Sequence, residues 1–437
     1  MNFRLVHAIL FAVGICASDR LVRSAPWNQF RGPNGDGLAD TTNLPIAWSE
    51  TENIAWKTPI HGRAWSSPVV MDDRIWLTTA TEDGQKLSFV AVNPATGAIV
   101  YDQQLFEIEK PQFAHKFNSY GSPTPVAEPG RVYVTFGSPG TACIDAKTGD
   151  AIWKRTDLIC NHYRGAGSSP ILYQNLLIMN FDGSDRQFII ALDKRTGKTV
   201  WETKRSIDYK DLGPDGKPES EGDWRKAFAT PHITMLDGTT QLLSQGAKAF
   251  YSYNPATGED LWRIEERTSH SAGTRPVIWN GTIIFPSGWS SGQVLAIKPG
   301  AKGDVLDVNT SATNSGKLSL VWKSKRNVPK KPSLLVVNDL VFSIDDNGVA
   351  TCSDPATGKS IWNERIGGNY SASPVGTKER IYFVSEEGKA TVLAASATFQ
   401  KLGESQMGDG FMASPAVLDN ALILRSRTML YRIETKK

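Results

Sequence analysis

Five segments of this chain repeat one phrase at fixed internal spacing: AVNPATGAIVY from Ala91, CIDAKTGDAIW from Cys143, ALDKRTGKTVW from Ala191, SYNPATGEDLW from Ser252 and CSDPATGKSIW from Cys352. Each reads as a small residue at a strand end, an Asn or Asp, a short turn closed by Thr-Gly, and an aromatic ring four residues after the glycine. The Asn or Asp side chain can cap its own turn and the glycine supplies positive φ, so a hairpin results. The ring then falls at the same place in every copy, where it can lie across the neighbouring copy. Repetition of this kind restricts the chain to an architecture of stacked structural repeats.

A second periodic feature sets the repeat boundaries. Pro68, Pro123, Pro170, Pro231, Pro276, Pro332, Pro374 and Pro415 each follow a small or polar residue and open a copy, at intervals of about 40 to 60 residues. After each come a short strand, a turn such as Asp72-Asp73 or Asn280-Gly281, and a β-branched and aromatic second strand such as RIWLTT from Arg74 or RIYFV from Arg380. A third strand leads into the Thr-Gly turn and a fourth carries the ring. Four antiparallel strands repeated eight times predict an all-β, eight-bladed β-propeller. The last copy stops without a fourth strand, and the strand NIAWKTPI around Trp56 is expected to supply it, closing the ring and leaving no exposed edge. Trp56, Tyr101, Trp153, Trp201, Trp262, Trp322 and Trp362 are the expected blade-docking rings. Blade five (AIKPGAKGDV from Ala296) and blade seven (AASATF) lack the Thr-Gly turn, and 206–225 is a charged insertion between blades three and four.

Ahead of the propeller, expected over 51–437, the reading has two parts. Residues 1–18 resemble a cleaved secretory signal peptide: one basic residue, an apolar run, and Cys16-Ala17-Ser18 as the small-residue cleavage site. Ile15 stands where a lipoprotein signal wants a small residue. Residues 19–50, including WNQFRGPNGDGLADTTNL, form a lead-in arm laid over the folded body; Asn34, Asp36 and Asp40 there lack the closing Glu of a calcium loop and are read as turn formers. The destination is the periplasm or the exterior, without a transmembrane segment.

Lys+Arg 48 against Asp+Glu 45, a net charge of +3 with interspersed signs, argues against nucleic acid, which would call for a concentrated basic face. Cys143 and Cys352 fill the same small-residue slot in blades on opposite sides of the ring, too far apart for a disulfide, and are read as buried free thiols.

The phrase Ala-x-Asp/Asn-x-x-Thr-Gly-x-x-x-Trp resembles the tryptophan-docking motif of PQQ-like repeats, found in quinoprotein alcohol dehydrogenases and in BamB-like assembly propellers. The opening WNQFRGPNGDG resembles the lead-in of exported PQQ-like repeat proteins described in planctomycete-type bacteria. The dehydrogenase branch implies pyrroloquinoline quinone (PQQ) and calcium in the central funnel, two adjacent cysteines and a catalytic Asp. No two cysteines are adjacent in this chain, and no Cys-x-x-Cys-His haem motif is present. No catalytic residue and no metal site is therefore assigned.

Candidate binding residues come from the connections that lead each outer strand to the next inner strand and gather round the channel mouth. His61, His115, His162 and His270 each lie within ten residues before an opening proline. With them come Arg63, Trp65, Lys116, Asn118, Tyr120, Tyr163, Arg164, Arg225, Arg275, Lys330 and Lys331, a mostly cationic rim with aromatic rings suited to an anionic or sugar-like ligand. The expectation is a monomeric, exported, non-catalytic binding or assembly scaffold with a protein or glycan partner and no demonstrable cofactor. Its alternatives are a quinoprotein-like oxidoreductase holding PQQ and calcium, and a carbohydrate-binding propeller using Trp65, Tyr120, Tyr163 and Tyr370.

Overall fold

The computed structural model describes residues 26–310 and 316–435; the expected signal peptide lies outside them. Eight sheets, each with a core of four antiparallel strands, are arranged as blades; one carries an additional parallel strand. Blade 1 holds Val69–Met71, Arg74–Ala80, Lys86–Val92 and Ile99–Glu107, and blades 2 to 7 follow over 126–155, 171–204, 232–265, 277–324, 335–365 and 375–406. Blade 8 takes Ala416–Leu418, Ala421–Arg425 and Met429–Ile433 from the end of the chain and Ile54–Pro59 from its beginning. Ile54–Pro59 runs antiparallel to Met429–Ile433, with Trp56 opposite Arg432. The predicted closure is therefore present.

Burial explains why these sequences read as they do. Middle strands such as Arg74–Ala80 and Lys86–Val92 are buried on both faces, because a blade lies against each, and their sequences are near-continuous apolar runs. Outer strands are half in solvent, and Ile54–Pro59 and Ser319–Ser324 alternate accordingly.

At the axis the blades are tied by one repeated bond. The amide of Ser67 donates to Thr124 Oγ1 (2.9 Å), Thr124 to Ser169 Oγ (2.9 Å) and Ser169 to Thr230 Oγ1 (3.1 Å). Arg275 donates to Ser333 Oγ (2.9 Å), Ser333 to Ser373 Oγ (3.0 Å), Ser373 to Ser414 Oγ (2.9 Å), and Ser414 back to Ser67 Oγ (3.1 Å). The ring is interrupted only between blades 4 and 5, where Arg275 replaces the hydroxyl residue. It also fixes the register of the repeats. The residue after the ring position is Pro68, Pro170, Pro231, Pro276, Pro374 or Pro415, but in blades 2 and 6 it is Pro125 and Leu334, two positions beyond Pro123 and Pro332.

The docking rings seal the periphery. The indole N–H of Trp56 donates to Pro94 O (2.9 Å), Trp153 to Lys194 O (3.1 Å), Trp201 to Pro255 O (3.2 Å), Trp322 to Pro355 O (2.8 Å) and Trp362 to Ser396 O (3.2 Å); Tyr101 Oη donates to Lys147 O. Each glycine of the Thr-Gly turn lies beneath the ring of the preceding blade. A Cβ on Gly197 would stand 2.8 Å from Trp153, and one on Gly258 2.5 Å from Trp201. The repeated glycine thus serves both the positive φ of the turn and the stacking of the ring.

Two boundaries depart. Blade 5 has no Thr-Gly turn to receive Trp262, whose N–H bonds instead to Gln241 Oε1 of its own blade (2.9 Å); the extra strand Val305–Asp307 pairs in parallel with Trp262's strand, Asp260–Glu265. In blade 7 the ring position is Gly403, and the arm crosses there: a Cβ would stand 2.0 Å from Ile46 O. Trp48 of the arm is buried beside it, its amide donating to Ser405 Oγ (2.9 Å).

The arm enters the channel before reaching that point. Trp27 O accepts from the Val70 amide of blade 1 and Asn28 O from the Ala127 amide of blade 2, both at 2.8 Å. Gly37 and Ala39 then pair with Gly376 of blade 7, and Arg31 donates to Leu334 O of blade 6 at 2.5 Å. The arm therefore crosses the channel and stoppers one end.

Candidate binding site at the channel mouth

The other end stays open as a funnel. Its mouth is a cavity of about 570 Å³ bounded by Arg63, Trp65, Glu82, Lys116, Phe117, Glu386, Met412 and Arg427. Below it, a chamber of about 120 Å³ within the hydroxyl ring shares Trp65 and Met412 with the mouth and ends on Phe30 of the arm.

The loop 109–125 builds the most prominent wall. The Trp65 N–H donates to Phe117 O (3.2 Å), and the Arg63 guanidinium both donates to Lys116 O and lies 5.3 Å from the Trp65 ring. Lys116 and Lys331 lie over Phe117 at 5.7 and 5.6 Å, and His115 stacks on it at 5.4 Å. Asn118 Nδ2 clamps the loop to Arg164 O (3.0 Å) and Ala166 O (3.1 Å). Lys331 is paired with Glu386 (2.8 Å), which also accepts from Ser371 Oγ (2.5 Å). Next to Lys331, burial pushes the Asp346 carboxyl up to about 6 against the pull of Lys331.

The other sequence candidates separate into distinct roles. His61 Nε2 is 2.8 Å from Asp102 on an exposed edge. His162 is buried, burial holds it down to about 4, and its Nε2 accepts the Ser138 amide (2.9 Å). Burial and then Arg164 lower His115, while His270 is lowered by burial and bonded to Ser271 Oγ (2.9 Å). Arg164 forms a two-point pair with Asp223 (2.8 and 2.7 Å), and Lys226, pressed down to about 8 by burial, reaches the same carboxylate. Arg225 pairs with Asp211 (2.6 Å). The Arg164–Asp223 pair fastens the insertion 206–225 to the rim beside Tyr163, whose ring carries Arg164 at 5.7 Å and Lys226 at 5.2 Å, while Arg225–Asp211 braces the insertion internally. Tyr120 is half-buried against the blade 1–2 core and Tyr370 is fully buried. Arg275 is away from the mouth, gripping Phe30 O (2.7 Å) and Gln29 Oε1 (3.2 Å) of the arm.

Glu82, Glu386 and Arg427 had no signal in the sequence. They sit at hairpin tips between second and third strands, which only the blade topology brings to the same face as the outer-to-inner connections. Exposed, ring-bearing Phe117 is legible only once its loop is seen leaning over the mouth.

The mouth offers cations and two ring faces to a planar anion. Among the described residues, however, no group of three or more His, Cys, Asp or Glu could hold a metal ion, and Cys143, Cys160 and Cys352 are buried free thiols.

An eight-bladed ring sealed by Trp-to-glycine stacking defines a PQQ-like β-propeller. The chain belongs to the family whose model is described as outer membrane protein assembly factor BamB, which matches residues 38–156, 86–223 and 303–401. Comparison with curated protein sequences gives no match. Among solved structures, BamB from Moraxella catarrhalis is 14% identical with a TM-score of 0.54, covering 87% of this chain and 99% of that one. Quinohemoprotein alcohol dehydrogenase from Comamonas testosteroni is 14% identical with a TM-score of 0.59, covering 96% and 82%. The computationally designed Ika8 protein is 11% identical with a TM-score of 0.55, covering 89% and 99%. At such identities the likeness establishes the fold, which serves many functions.

Proposed function

We propose that the protein is a non-catalytic binding or assembly scaffold of the BamB type, exported across a membrane and engaging a protein partner at the channel mouth. The observation that carries this reading is the set of exposed rings on that face: Phe113 (63% exposed), Phe117 (55%) and Trp289 (41%), with Lys330 lying 4.7 Å from Trp289. Exposed aromatic rings are enriched among the anchors of protein interfaces. The family description, outer membrane protein assembly factor, supports the same reading. Export rests on the leader 1–18, and no helix among the described residues is long and apolar enough to cross a membrane.

A photo-crosslinking residue at Phe117, compared with one at the peripheral Ile152, tests this in the native cell. One protein captured at Phe117 and absent at Ile152 is the expected outcome; equal, non-selective capture at both positions would sink the reading.

The cationic, ring-lined mouth also favours a second reading, a quinone-binding propeller. Calorimetric titration with PQQ in the presence of calcium separates the two. Saturable binding with a shifted quinone spectrum supports the second reading, and no binding at millimolar quinone removes it. A glycan-binding reading is weaker, because Tyr370 is buried and Tyr120 half-buried, leaving Trp65 and Tyr163 as stacking faces.

A further inference from the structure

At the end of the channel opposite the mouth, a separate cavity of about 430 Å³ lies between the arm and the inner strands of blades 3, 4 and 5, Ile171–Tyr173, His232–Leu236 and Val277–Trp279. Two buried side-chain nitrogens in its wall lack partners. Arg275 is 2% exposed; its two terminal nitrogens are held by the arm, but Nε has no acceptor. His232 is 6% exposed and its Nδ1 is likewise without a partner. Behind them Arg31 is buried with Nε and one terminal nitrogen unpartnered. The one acidic residue in the wall, Asp36, accepts the Leu38 amide (3.0 Å) and forms no ion pair with either guanidinium among the described residues. Burial, and then the neighbouring Arg31, lowers Arg275 to about 9, and burial lowers Arg31 to about 10, with Asp36 opposing both shifts. Buried cations with so little compensating charge are costly to keep unless an anion is supplied.

The backbone adds directional donors to this charge. Val70, Ala127 and Gly376 occupy one ladder position, opposite Ile75, Val132 and Ile381, and each turns its N–H to a carbonyl of the arm. Leu172, Ile233 and Ile278 occupy the same position, opposite Leu177, Leu242 and Ile283, and they line the cavity without a backbone bond to the arm among the described residues. Consecutive carbonyls, Trp27 O and Asn28 O, reach the amides of two adjacent blades. Closely spaced oxygens can therefore bridge neighbouring blades at this depth.

We propose that this cavity binds a ligand with clustered carboxylates, whose oxygens accept from the Leu172, Ile233 and Ile278 amides and from Arg275 and His232. A neutral polyol would satisfy the amides and leave the guanidinium charge buried and uncompensated. The chain's own upstream segment, residues 19–25, carries Arg20 and Arg23 against Asp19 and has the wrong sign of charge. The same chemistry is offered by a free polycarboxylic acid and by an acidic peptide.

Calorimetric titration of the full mature chain with citrate, and separately with a tri-glutamate peptide, tests the proposal and distinguishes the sources. One site is expected for at least one probe, weakened tenfold or more by Arg275→Gln. Because Arg275 also holds the arm, the exposed arm residue Asn34→Asp serves as the second variant: it places a carboxylate in the wall, and it should weaken binding at least fivefold without lowering the thermal midpoint. Lys331→Gln, at the mouth, should leave affinity unchanged. The absence of saturable heat from both probes at millimolar concentration would overturn the proposal. So would binding that is indifferent to Arg275→Gln and Asn34→Asp, or that is lost with Lys331→Gln.

Discussion

The amide of Ser414 donates to the hydroxyl of Ser67 at 3.1 Å across 347 residues of sequence, joining the last blade to the first at the axis. The same bond recurs at six other blade boundaries, so a serine or threonine before the inner strand is a structural element of the ring. It positions the mouth above it by holding the start of every outer-to-inner connection at one radius.

Ser67→Ala removes that acceptor and leaves the buried Ser414 N–H unsatisfied. The expected loss is about 1–2 kcal/mol of unfolding free energy, with Ser67→Thr close to wild type, read from denaturant midpoints. An unchanged midpoint for the alanine variant would show that water replaces the hydroxyl.

Trp153→Ala deletes a ring stacked on Gly197 together with its bond to Lys194 O. A loss of about 3 kcal/mol is expected, given that the ring is only partly buried. Trp153→Phe keeps the stack and loses the hydrogen bond, so its cost should be nearer 1 kcal/mol. The pair of variants, measured by urea unfolding, separates packing from hydrogen bonding.

Asp182 and Arg205 form a two-point ion pair (2.8 and 2.7 Å) with both side chains essentially inaccessible to solvent, and the guanidinium lies 4.9 Å from Tyr251. Asp182→Asn strands the buried cation and should cost about 3–5 kcal/mol. Replacing both residues, Asp182→Leu with Arg205→Met, should recover most of that loss. A single variant as stable as wild type would mean that the pair is open to water.

Asp346 is held up to about 6 from an ordinary 3.8, chiefly by burial. The folded protein therefore binds this proton more tightly than the unfolded chain does, and stability falls as pH rises through the interval from 3.8 to 6. Above 6 the penalty is constant, and below 3.8 it is absent. Allowing for partial solvent access, Asp346→Asn should flatten the wild-type stability curve over that interval by about 2 kcal/mol. Parallel curves for the two proteins would place the carboxyl in solvent.

Much of the fold was legible because its signals are local. Asn93, Asp145, Asp193, Asn254 and Asp354 each cap their own turn, so the Thr-Gly phrase announces a hairpin without reference to the rest of the chain. The site was legible only in part. Arg63, Trp65 and Lys331 line the mouth as their loop positions implied, whereas His162 turns inward to the Ser138 amide and Arg275 turns to the arm. Loop membership fixes where a backbone begins, while the direction of a side chain depends on neighbours from other blades.

The sequence by itself determined the repeat, the strand order within a blade and the borrowing of Ile54–Pro59 to close the ring, because turn chemistry and strand periodicity act over a few residues. Only the tertiary structure decided that Glu82, Glu386 and Arg427 meet Trp65 and Phe117 at one mouth, and that Arg275 faces a second cavity beneath the arm. Those juxtapositions depend on which face each turn reaches and on the path of the arm across the axis. Both are set by packing between segments hundreds of residues apart.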